Sequence, residues 1–68
     1  MEIKKYITAD SFGSECPKNW EKIADYLNDK INWMCYLFND DPKETTDDYW
    51  ERFCRGELPE CPKPVFDD

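Results

Sequence analysis

The sequence predicts a small all-α fold: a helical hairpin with extended arms at both ends. Apolar residues recur with a helical period over residues 17–39, and a shorter amphipathic segment ending at residue 55 is bracketed by helix start and stop signals. The only strand-like alternation, Ile3, Lys5, Ile7, could pair only with a dimer mate or the tail at Val65 and Phe66, so an extended arm lying on the helices is expected instead of a sheet. Sixty-eight residues make one small domain, which buries only roughly 60% of the surface of its unfolded chain. Its stability must come from a few large side chains, and 16% of the residues are aromatic.

Residues 1–15 form the first arm, with Ile3, Tyr6, Ile7 and Phe12 as apolar anchors among the turn formers Asp10, Ser11, Gly13 and Ser14. The long helix follows. Trp20, Ile23, Ala24, Leu27, Ile31, Met34, Cys35 and Phe38 fall within about 120° of one another on a helical wheel. Glu21, Lys22, Asp25, Asn28, Asp29 and Asn32 take the opposite side. Pro17 suits a first helical position and Asn19 competes as the N-cap.

The run NDDPKETTDD breaks this helix. The second helix starts after Asp41, near residue 43, or after Thr45, near residue 46, and runs to Arg55 with Gly56 as the residue that ends it. Tyr49, Trp50, Phe53 and Cys54 form its apolar face. Asp48 with Arg52 and Glu51 with Arg55 are i,i+4 pairs in the favoured orientation. Residues 56–68 carry three prolines, at 59, 62 and 64, and read as an extended tail anchored by Leu58 and Phe66.

Net charge −7 repels phosphate backbones, so direct nucleic-acid binding is not expected and a positively charged protein partner is more natural. The first residues lack a signal-peptide core and no stretch approaches the length of a membrane span, which predicts a cytoplasmic protein away from membranes. No histidine occurs, which removes Cys-His and Ser-His dyads, and no glycine-rich phosphate loop is present. The acid pairs Asp40 with Asp41, Asp47 with Asp48, and Asp67 with Asp68 lack a calcium-loop pattern. The expectation is a protein without catalytic residues, cofactor, metal or small-molecule ligand.

Cys16, Cys35, Cys54 and Cys61 admit three readings. They are buried small apolar residues, or a disulfide clasp joins Cys16 to Cys61, or four thiolates hold zinc despite spacings unlike those of zinc sites. The tail is long enough to carry Cys61 to Cys16, and Cys35 and Cys54 both fall on inward faces.

Two surface features point outward. Tyr26, Trp33 and Leu37 lie about 120° around the long helix from the centre of its main apolar face, so one partner helix cannot cover both stripes. Either the N-terminal arm covers them or they bind a protein partner or a second copy. Glu21, Asp25 and Asp29 recur every four residues, about 6 Å apart, an acidic stripe that alternatively mimics nucleic acid to block a basic groove, as in a phage-type counter-defence inhibitor.

Overall fold

In the computed structural model, which describes residues 4–66, the chain folds as three helices in an elongated body of 41 × 23 × 18 Å. A one-turn helix α1 (Ala9–Phe12) is followed by a 3-10 turn (Gly13–Glu15), the long helix α2 (Trp20–Phe38) and the shorter helix α3 (Pro42–Arg55). Helices α2 and α3 pack against each other as a hairpin. Ile3, Asp67 and Asp68, used above as an anchor and as an acid pair, lie outside the described residues.

The arms differ from the expectation in one respect: residues 9–15 are helical, not extended. Ser11 supplies the local reason. Its hydroxyl accepts from the Thr8 N–H at 3.1 Å, and its own N–H donates to the Thr8 carbonyl at 3.0 Å, which starts a turn. This turn delivers Phe12 to α3, where its ring centre sits 5.1 Å from Trp50 and 6.3 Å from Phe53 in edge-on contacts.

Helix α2 begins at Trp20, with Asn19 as the N-cap instead of Pro17 as the first helical residue; Pro17 is fully buried just before it. Asn39, in the left-handed conformation, ends the helix. Helix α3 starts at the earlier of the two candidate positions. Asp41 caps it by accepting from the Lys43 N–H at 2.8 Å, and Pro42 occupies the first turn, where no donor is needed. At its other end Gly56 takes φ +74°, the Gly56 N–H donates to Phe53 O at 3.1 Å and the Glu57 N–H to Arg52 O at 2.9 Å. Those two bonds are a Schellman closure, which needs a residue at ease with positive φ. The pairs Asp48 with Arg52 at 3.2 Å and Glu51 with Arg55 at 3.9 Å form as spaced, exposed and of small energetic weight.

The core is built along α2 from Ile23, Ala24, Leu27 and Ile31, closed by Ile7 of the first arm and Cys61 of the tail. Helix α3 contributes half-buried Tyr49, Trp50 and Phe53, while Cys54 turns to solvent, contrary to its expected inward position. In the tail, Leu58 packs on the core as expected, but Phe66 is half exposed and Cys61 takes the anchoring place. A turn over residues 58–61, closed by the Cys61 N–H on Leu58 O at 3.1 Å, points Cys61 inward.

Two asparagines of α2 and its N-cap asparagine hold the two arms. Asn28, placed above on the polar side, is buried: its Oδ1 accepts from the N–H groups of Tyr6 and Ile7 at 2.8 and 2.7 Å, and its Nδ2 donates to Ile7 O at 3.0 Å. One turn on, Asn32 accepts from the Lys4 N–H at 3.2 Å and donates to Lys4 O at 3.0 Å. A side-chain amide carries the same donor and acceptor as a peptide group. Each asparagine therefore gives Ile7 or Lys4 the pair of bonds that a neighbouring antiparallel strand would give. At the start of α2, Asn19 accepts from the Val65 N–H at 2.9 Å and donates to Lys63 O at 2.7 Å, and the Lys18 N–H donates to Val65 O at 2.7 Å.

Candidate functional site

Asn39 in the left-handed conformation and the cap at Asp41 return the chain within three residues, so α3 starts beside the last turn of α2. Thr45 is the buried residue in the first turns of α3, and Glu44 lines the cleft at this junction with Met34 of α2. Phe38 is 65% exposed although its helical phase puts it on the core side. Trp33, Tyr36 and Leu37 are exposed as well, at 47, 67 and 60%.

These four side chains fall within six residues at the C-terminal end of α2. Trp33 and Tyr36 meet edge to face with ring centres 6.0 Å apart, and Leu37 lies one turn beyond Trp33. The structure thus redraws the sequence-predicted patch. Tyr26 is half-buried against the core, with the Lys30 ammonium 5.5 Å from its ring centre, and leaves the group. Trp33 and Leu37 stay, and Tyr36 joins them at i+3 from Trp33. Phe38 is exposed as well, on the adjoining side of the helix end.

The first arm does not cover this patch over its described length. Its bonds to Asn28 and Asn32 place residues 4–7 along a different face of α2.

Met34, half-buried, links the patch to an open cleft of about 240 Å³ at the hairpin turn. Asp40, Asp41, Glu44 and Asp48 line its walls, with Arg52 at one side, where it pairs with Asp48. Between residues 29 and 48 the chain carries six acids and two lysines. The cleft that adjoins the apolar end of α2 is therefore walled by negative charge.

The stripe of Glu21, Asp25 and Asp29 forms as spaced along α2, with Glu21 and Asp25 exposed and Asp29 half-buried. Glu21 and Asp25 share a cleft with Lys5 of the arm.

All four cysteines are free thiols. The tail does reach the start of α2, but the bonds there are made by Lys63 and Val65, four residues past Cys61 at the latter. Cys61 is buried in the core and Cys16 is exposed beside Phe66, so no clasp joins them. Burial pushes the Cys61 thiol above its ordinary pKa by disfavouring the thiolate. Among the described residues no three His, Cys, Asp or Glu side chains converge as a metal cage. Also among them, no helix is long and apolar enough to cross a membrane.

Compared with family models, curated proteins and solved structures, the chain matches none.

Proposed function

We propose that this is a non-catalytic cytoplasmic interaction module that binds another protein through the exposed end of α2. The observation that carries this is the exposed group of Trp33, Tyr36 and Leu37 at i, i+3 and i+4, with exposed Phe38 on the adjoining side, each about half or more exposed. Exposed aromatics grouped in this way are characteristic of protein contacts, where Trp and Tyr carry much of the binding energy. Four free thiols fit a reducing compartment.

The mimic alternative has less behind it. Its three carboxylates span about 12 Å of helix, and Lys5 borders two of them.

The test is affinity capture with the wild-type chain and with Trp33→Ala as baits. A protein retained by the first and lost by the second, with the thermal melt unchanged, supports the reading. Equal retention refutes the role of the patch, and loss of folding in the variant returns Trp33 to the core.

A further inference from the structure

We propose that the partner surface taken up here is a basic amphipathic helix of another protein, its apolar side chains covering Trp33 and Leu37 and its lysines or arginines entering the acidic cleft at the hairpin turn. This rests on the protein-binding reading above and adds the chemistry of what binds.

The argument is charge complementarity around one continuous surface. Met34, Leu37 and Phe38 stand at i, i+3 and i+4 on α2, so the floor of the cleft and the aromatic end adjoin. Asp40, Asp41, Glu44 and Asp48 border that junction on the α3 side. Asp29, one turn before Trp33, adds negative charge at the other end. A partner that covers the apolar group must pass this rim. Cations on it gain from the acids, whereas acids on it are repelled.

The same charge argues against the two other occupants. A second copy would bring two such rims, each from a segment with six acids and two lysines, into one interface. An anionic membrane surface carries the wrong sign as well. A basic segment with apolar residues on one side satisfies both parts of the surface, in the manner of helices that lay an apolar face into a groove.

The probes are two synthetic peptides with the same helical leucine pattern, one with lysines on its other face and one with glutamates. Binding to the full chain is read by fluorescence anisotropy at low and high salt, alongside sedimentation of the protein alone. The lysine peptide binds, weakens with added salt, and loses about 30-fold in affinity to Trp33→Ala, as expected for truncating a central aromatic. The double variant Asp40→Asn with Glu44→Gln weakens the lysine peptide and removes much of its salt dependence. Should Trp33→Ala fail to fold, Leu37→Ser tests the same surface.

Equal binding of both peptides overturns the role of the acidic rim and leaves the apolar surface as a protein-binding site. Self-association that Leu37→Ser abolishes overturns the basic partner and assigns the surface to a second copy. Binding of neither peptide, with no self-association, overturns the basic partner, while the protein-binding reading falls only if the wild-type chain and Trp33→Ala also retain proteins equally in affinity capture.

Discussion

Replacing Asn28 by alanine removes three hydrogen bonds at once, all to the backbone of Tyr6 and Ile7 and two of them at a buried residue. At a net worth of about 1 kcal/mol each, their loss comes to about 3 kcal/mol. Alanine is the better helix former and returns about 0.6 kcal/mol. The expected destabilisation is therefore about 2–3 kcal/mol, against a total of about 3–10 kcal/mol for a chain of this size. In a domain this small that corresponds to a fall in Tm of about 10–20 °C. Urea unfolding measures the loss, and amide exchange at Tyr6 and Ile7 locates it. Asn28→Asp sharpens the test, because an ionised carboxylate accepts from the two N–H groups but has no donor for Ile7 O. That variant should be destabilised at neutral pH and partly restored in acid, where the protonated carboxyl regains a donor. A loss under about 0.5 kcal/mol in Asn28→Ala, within the range of ordinary surface substitutions, would refute the clamp as the arm's main attachment.

Ile31→Ala should cost about 2–5 kcal/mol, since Ile31 is fully buried at the centre of the core; denaturant titration reads it directly. Gly56→Ala should cost about 1 kcal/mol through backbone strain alone, because φ is +74° and an added Cβ would meet nothing within 4 Å. Cys61 has its pKa raised by burial, so the folded state holds the thiol proton more tightly than the unfolded chain. Its contribution is complete below the unfolded thiol value, roughly 8.5, and is lost as pH rises through the higher folded value. Stability should therefore fall on the alkaline side, and the fall should be shallower in Cys61→Ala. In the native protein, alkylation should reach exposed Cys16 and Cys54 well before Cys61, as mass spectrometry of a time course would show.

Local rules made both main helices readable. The phase of Ile23, Leu27 and Ile31, the cap at Asp41 and the stop at Gly56 depend on residues within a turn or two of each other, and all three recur in the structure. The same local reading placed Asn28 and Asn32 with the solvent-facing residues, because their phase lies just outside the apolar arc and amides ordinarily face water. What overrode this was the backbone of residues 4–7 arriving from more than twenty residues away, with N–H and C=O groups that the buried Asn28 and half-buried Asn32 amides satisfy.

The aromatic patch was half legible. Trp33 and Leu37 stand off the core by phase alone, whereas Phe38 is exposed although its phase puts it on the core side. The cysteines were the least legible. The reach of the tail to the start of α2 follows from chain length, but an extended segment advances about 3.3 Å per residue. A shift of four residues, from Cys61 to Val65 as the residue beside Lys18, moves the thiol far enough to exchange a clasp for a place in the core. The sequence by itself determined the two main helices, the stop at Gly56 and the charge of the molecule, because those are set by neighbours along the chain. Only the tertiary structure decided which asparagines are buried, where the tail docks and which aromatics remain uncovered, because each depends on what a distant segment places opposite.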